Sequence, residues 1–137
     1  NLPKPIYRLR GSTGDEKRED GMRPDMIVRQ GTHLHIVDAK YYGAITGAKA
    51  PGWSDIVKQL VYDQALRTIV KDGEDVKNWF LFPWWQNGSG PLSHMELVQE
   101  DDEKEPFFPE IRCGYLSVKD VMKAYLSNGK IPLEDAL

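Results

Sequence analysis

Two short segments hold the residues best suited to chemistry: Arg23-Pro24-Asp25-Met26-Ile27-Val28 and His35-Ile36-Val37-Asp38-Ala39-Lys40. An acidic residue opens the first apolar run. Thirteen positions later a second acid and a lysine close another run, with one small residue between them. Successive side chains on a β-strand point to opposite faces, so Asp38 and Lys40 share a face and Ala39 takes the other. A hairpin around Gly31-Thr32 brings Asp25 onto the neighbouring strand beside Asp38. Two carboxylates and an ammonium at one sheet edge suit a divalent metal and an attacking water, the equipment of phosphodiester hydrolysis.

Such a site needs a scaffold, and the hydrophobic pattern supplies one. Ile6 to Arg10 alternates and predicts a strand, followed by a polar, glycine-bounded loop from Gly11 to Gly21. Asp25 to Gln30 and His33 to Tyr41 are the two strands of the hairpin. Gly43 to Gly52 reads as a small-residue connector. Ser54 is the expected N-cap of a helix, with Asp55 in its first turn. Ile56, Val57, Leu60, Val61, Ala65, Leu66, Ile69 and Val70 then recur at helical spacing until Asp72-Gly73. Trp79 to Phe82 predicts a buried strand ended by Pro83, and Met95 to Val98 a further one. Arg112 to Leu116 is another candidate strand, after which Ser117 caps a helix over 118–126, stopped by Asn128-Gly129. The order β-β-β-α-β-β-α, with that further candidate strand, predicts an α/β fold: a mixed sheet flanked by helices.

The 137 residues, 40% hydrophobic and 28% charged, fit one domain spanning 1–137. No apolar run is long enough for a membrane span, and no signal-peptide pattern opens the chain, so no membrane partner is expected. Cys113 is the only cysteine, which excludes an internal disulfide; near Ile111 it reads as a small buried filler. A cytoplasmic, reducing location suits this usage. The chain opens on Asn1 rather than methionine and reads as a piece of something longer. Its net charge is −3, unlike a dedicated DNA binder, but residues 1–50 carry nine Lys/Arg against six Asp/Glu, and residues 51–137 nine against fifteen. Glu100 to Glu105 reads as a solvated acidic loop. Weak intrinsic affinity for nucleic acid follows, so another domain or subunit is expected to hold it.

The Asp-x-Lys spacing alone is weak, since it occurs at Asp15/Lys17, Asp38/Lys40, Asp75/Lys77 and Asp102/Lys104. Three of these lie in polar stretches, where a charge pair on a solvated loop explains them. Only Asp38 follows an apolar run that carries it into a sheet, where an ionic group needs a metal, a counter-ion or a role. A structural Asp38/Lys40 salt bridge is the competing reading. His33 and His35 share a strand face but lack two further zinc ligands nearby, and an exposed strand face accounts for them. Trp84-Trp85 and Phe107-Phe108 fit core or subunit-interface positions better than base-stacking ones. Neither a glycine-rich phosphate loop nor a serine or cysteine nucleophile is in evidence.

Pro24-Asp25 with Asp38-Ala39-Lys40 resembles the signature of the PD-(D/E)xK nuclease superfamily, over roughly residues 6–85. Asp55-Ile56-Val57-Lys58-Gln59-Leu60-Val61-Tyr62 resembles the helix after the catalytic strand in McrC-like and LlaJI-like restriction nuclease subunits. The tail from Leu116 to Ile131 is similar in a generic way to the end of FokI-type cleavage domains. The resemblance implies a restriction-endonuclease-like fold and cleavage of DNA to leave 5′-phosphate ends. It implies Mg²⁺, with Mn²⁺ as substitute, on Asp25, Asp38 and the main-chain carbonyl of Ala39, while Lys40 orients the attacking water and stabilises the transition state. Gln59 is expected to hydrogen-bond the DNA backbone or that water, with Tyr62, Lys58 and Arg23 toward the DNA. Double-strand cleavage needs two sites, hence a homodimer or a transient pair of copies on DNA. Only Asn1 to Pro5 precede the first strand, so the helix that the superfamily places before it is missing or comes from outside this chain; Glu16, Glu19 or Asp20 are candidate substitutes for its acid. The alternatives are a repair or recombination nuclease on the same fold, such as a junction resolvase, and a non-catalytic DNA-binding or assembly module.

Overall fold

The hairpin that carries the candidate residues turns on Gly31, whose φ of 61° lies in the left-handed region that glycine enters without steric cost. In the computed structural model, which describes residues 2, 6–8, 10, 11, 15–17, 23–86, 88 and 90–127, this turn joins β3 to β4. Strands β1 (Ile6–Arg8) and β2 (Asp15–Lys17) form a separate antiparallel ribbon. The main elements then follow as β3 (Met26–Gln30), β4 (His33–Ala39), a 3₁₀ turn (Gly47–Lys49), α1 (Trp53–Arg67) and β5 (Asp75–Trp84). After them come β6 (His94–Met95), β7 (Ile111–Ser117) and α2 (Val118–Leu126). The sheet order is β3-β4-β5-β7-β6; β4, β5 and β7 run parallel, and β3 and β6 are antiparallel edges. A mixed five-stranded sheet with two α-helices among the described residues is an α/β fold, consistent with the restriction-endonuclease-like architecture expected.

Strand β4 lies between β3 and β5 and is buried from Leu34 to Asp38. Leu34 and Ile36 pack with Leu66 of α1 and Val76 of β5, and Phe80, Phe82 and Ile111 continue that layer against Ile56 and Leu60. The other face gathers Val37, Trp79 and Leu81 with Met26, Val28 and Leu116. Each such fully buried apolar side chain contributes about 1.5–3 kcal/mol against exposure. Cys113 is half-buried and its thiol is pushed up to about 11 by burial, so it behaves as filler rather than nucleophile.

Several boundaries differ from expectation. Helix α1 is capped by Gly52 rather than Ser54 and ends at Arg67, short of Asp72-Gly73. Part of the expected Gly11–Gly21 loop is β2, while the Asn128-Gly129 stop lies outside the described residues. The expected Met95–Val98 strand is only His94–Met95, with an isolated bridge from Val98 to Lys104 beyond it. Strand β5 begins four residues earlier and runs through Pro83. Leu81 accepts from the Lys40 N–H at 2.8 Å, so the main-chain groups of residue 83 face the same side, beyond the end of β4. Proline's missing N–H therefore costs no ladder bond there. Ser117 does cap α2, accepting from the Asp120 N–H.

Candidate active site

At the C-terminal end of β4 the side chains of Asp38 and Lys40 meet the first turns of α1. Lys40 Nζ stands 2.9 Å from Asp38 Oδ2 and donates to Asp55 Oδ1 at 2.7 Å. Lys58 Nζ lies 3.4 Å from the same Asp38 oxygen and 3.8 Å from Asp55 Oδ1. Asp38 is buried. Two ammonium groups stand at its Oδ2. Lys40 is largely enclosed as well, over the Phe80 ring. Burial works against its charge, but hydrogen bonds and charge from Asp55 and Asp38 outweigh it, and its pKa is raised. Lys40 is thus an ammonium at neutral pH and an electrostatic group rather than a base.

Asp25 immediately precedes β3. Pairing of Met26 with Val37 carries the register on to Asp25 opposite Asp38, and Asp25 is exposed to solvent. The Lys40 N–H is directed to β5, so the trans peptide turns the Ala39 carbonyl toward the β3 side, where Asp25 lies. Arg23 is exposed, and its carbonyl accepts from the Tyr62 hydroxyl at 3.2 Å, which ties the entry to β3 onto α1. Lys58 is half-exposed beside Asp38. The structure therefore brings Asp38, Lys40 and Lys58 into direct contact and sets Asp25 and Ala39 on the adjoining edge.

Gln59 lies elsewhere. It is fully buried, and its Nε2 donates to the Ile36 carbonyl at 3.0 Å, so it reaches no surface that a DNA backbone approaches in this conformation. It heads a polar stripe spaced by four along α1: Gln59, Asp63 and Arg67. Asn78 donates to Asp63 Oδ2 at 2.8 Å and offers its Oδ1 to Gln59 Nε2 at 3.5 Å. Arg67 grips Asp63 through Nε at 2.8 Å and a second nitrogen at 3.1 Å. With Asp63 setting the Asn78 amide and Asn78 facing Gln59 Nε2, the Gln59 Oε1 is left buried without a donor.

Asp63 and Asn78 were not singled out from the sequence, and Asp55 was read as a first-turn acid rather than as a partner of Lys40. The i, i+3 spacing of Asp55 and Lys58 and the i, i+4 series through Asp63 were the available signals. His35 is buried, not on an exposed face, because both faces of β4 are covered; its Nδ1 accepts from the Trp79 indole at 2.8 Å. The Asp75/Lys77 pair stands at the start of β5 at 3.7 Å rather than on a loop. Among the described residues, no three His, Cys, Asp or Glu side chains converge on one point. An oxygen set for Mg²⁺ does not need that: the ion keeps several waters and takes one or two carboxylates. The buried carboxylate of Asp38 fits such a ligand.

The sequence pattern of LlaJI restriction endonucleases matches residues 1–91. The chain is 30% identical over 127 residues to the Type II restriction enzyme BsuMI component YdjA of Bacillus subtilis, which covers 87% of this chain and 26% of that protein. It is also 32% identical over 104 residues to a kinesin heavy chain of Syncephalastrum racemosum, 76% of this chain and 11% of that protein. The chain therefore spans about a quarter or less of the curated relatives it matches. No solved structure matches it. The hairpin, α1 and β5 all fall inside the family match, and the chain belongs to the LlaJI restriction endonuclease family.

Proposed function

We propose that this chain is the cleavage module of a restriction system, a Mg²⁺-dependent DNA endonuclease of PD-(D/E)xK type that leaves 5′-phosphate ends. One observation carries the reading: at the end of β4 a buried carboxylate, Asp38, stands 2.9 Å from the Lys40 ammonium, and the strand register sets Asp25 on the adjoining edge. Asp38, Asp25 and the Ala39 carbonyl would hold the ion, with Mn²⁺ as a substitute. When bound, it supplies Lewis-acid stabilisation of the phosphate and lowers the pKa of water. Lys40, kept protonated by Asp55 and Asp38, hydrogen-bonds the attacking water and offsets negative charge developing on the phosphate oxygens. Lys58, at the mouth of the site, and Arg23, at the entry to β3, face the DNA backbone. Gln59 holds β4 through the Ile36 carbonyl, two residues before Asp38.

A net charge of −3 supports weak intrinsic DNA affinity and recognition by a separate domain or subunit. The similarity to a protein named as one component of a restriction enzyme supports the same arrangement. Cutting both strands requires two sites, supplied by a pair of copies on DNA. No described helix is long and apolar enough to cross a membrane, and the proposed place of action is the cytoplasm.

A second reading has its own observation: two carboxylates and two ammonium groups balance one another in the Asp38, Lys40, Asp55 and Lys58 cluster without any metal. Supercoiled plasmid at low salt decides between them. The chain nicks it with Mg²⁺ or Mn²⁺, a chelator stops the reaction, and Lys40→Ala abolishes it while leaving the fold intact. Nicking at the normal rate by Lys40→Ala removes the assignment.

A further inference from the structure

Between Asp38 and Asp55 the chain carries no acidic residue; Lys40 and Lys49 are its only charges, set among aromatic and small residues. Two large rings of this stretch, and a third just past β5, are left in water. Tyr41 is 97% exposed, Trp53 67% and Trp85 59%.

All three sit at the sheet end that holds Asp38 and Lys40. Tyr41 follows Lys40 directly, and Trp53 opens α1 two residues before Asp55, the carboxylate that holds Lys40. Trp85 follows β5 just past the point where Leu81 pairs with Ala39. Its indole packs on Gly43, where a β-carbon would come within 3.1 Å of the ring, so the Tyr41 loop and Trp85 are seated together. The exposed Phe107 and Phe108 differ: they follow the acidic run Glu100 to Glu105, which repels phosphate. Around Tyr41, Trp53 and Trp85 the Lys40 and Lys58 charges are balanced by Asp38 and Asp55, and the exposed Lys49 adds one uncompensated positive charge that attracts it.

Resting on the nuclease reading above, we propose that Tyr41, Trp53 and Trp85 form a stacking platform for unstacked bases of the strand whose phosphate lies at Asp38 and Lys40. An aromatic ring stacks on a base only when that base's face is uncovered, and in a duplex its neighbours cover it. The substrate class is therefore DNA that is single-stranded beside the scissile phosphate. Lysines at the rim supply the sequence-independent hold on the backbone.

The test uses tryptophan fluorescence of the full 137-residue chain, at low salt with chelator to prevent cleavage. Trp79 and Trp84 are buried, so quenching by added DNA reports on Trp53 and Trp85. A single-stranded oligonucleotide quenches more strongly than a blunt duplex of the same sequence. Tyr41→Ala and Trp85→Ala each weaken single-strand binding about tenfold, with duplex binding unchanged and cooperative unfolding retained. Equal quenching by the duplex, or single-strand binding by both variants as tight as the parent's, overturns the platform while plasmid nicking persists and the nuclease reading stands. Absence of both quenching and nicking overturns the two together.

Discussion

The Lys40 ammonium donates to Asp55 Oδ1 at 2.7 Å, so the lysine that closes β4 is held by the first turn of α1. The contact joins sheet and helix at the candidate site, and it divides Lys40 between two carboxylates. Without Asp55, Lys40 would spend its charge on Asp38 alone and compete more strongly with a cation for that ligand.

Asp55→Ala is therefore expected to slow Mg²⁺-dependent nicking about tenfold and to shift its Mg²⁺ requirement upward. Asp55 is partly exposed, so the stability cost stays near 1 kcal/mol, the scale of a screened ion pair plus a first-turn acid. Nicking rate against Mg²⁺ concentration is the measurement. An unchanged Mg²⁺ dependence means that Asp55 does not govern how Lys40 is shared.

The buried stripe on α1 makes two opposite predictions from neighbouring residues. Asp63→Ala leaves the buried Asn78 amide without its acceptor, while the half-exposed Arg67 keeps the Val76 carbonyl and water, and costs about 2 kcal/mol. Gln59→Leu loses the bond to the Ile36 carbonyl and the long one to Asn78 Oδ1 but also removes a buried Oε1 with no donor, so it costs only about 1 kcal/mol. Urea midpoints of the two variants separate them. Equal losses would mean that Gln59 Oε1 is satisfied in solution.

These contrasts also mark where the sequence was legible. The hairpin could be read because a two-residue period on each side of Gly31 fixes which side chains share a face, and with them the register of Asp25 and Asp38. Ser117 could be read because a capping hydroxyl acts on its own helix. Helix α1 could not be read in full: its apolar repeat suggested one inward face, yet Val57 and Val61 are exposed while Gln59 and Asp63 are buried. Those two gain their partners from Ile36 and Asn78, which lie on strands far off in the sequence. His35 failed for a similar reason, since alternation does not say whether a second face of the strand is covered. The platform rings Tyr41 and Trp85 carry no spacing signal, because only the meeting of β4 and β5 places them at one edge.

Gly90 is a packing prediction. A β-carbon there would stand 2.2 Å from the Tyr115 ring. That ring cannot swing aside easily: its hydroxyl donates to the Ala44 carbonyl at 2.7 Å and accepts from the Leu92 N–H at 3.2 Å. Trp84 and Phe82 press on its faces, with centroids at 5.1 and 5.4 Å. Gly90→Ala is expected to cost about 2 kcal/mol, a fall of several degrees in Tm. An unshifted Tm would mean that residues near 90 move away from Tyr115 at no cost.

The buried His35 predicts how stability responds to acid. Its Nδ1 accepts from the Trp79 indole N–H, so the ring is neutral with its proton on Nε2. Burial lowers its pKa below the ordinary 6.5, and the nearby His33, Lys77 and Arg112 charges add to that, against Asp75. Below about pH 6.5 the unfolded chain then binds a proton that the folded chain refuses. Stability is complete above that pH and falls as pH drops from there toward the lowered folded value. His35→Gln keeps an acceptor for the indole but does not titrate, so its urea midpoint should fall less between pH 7 and pH 5 than the parent's. Identical slopes in the two proteins would show that His35 takes up its proton in the fold as readily as in the unfolded chain.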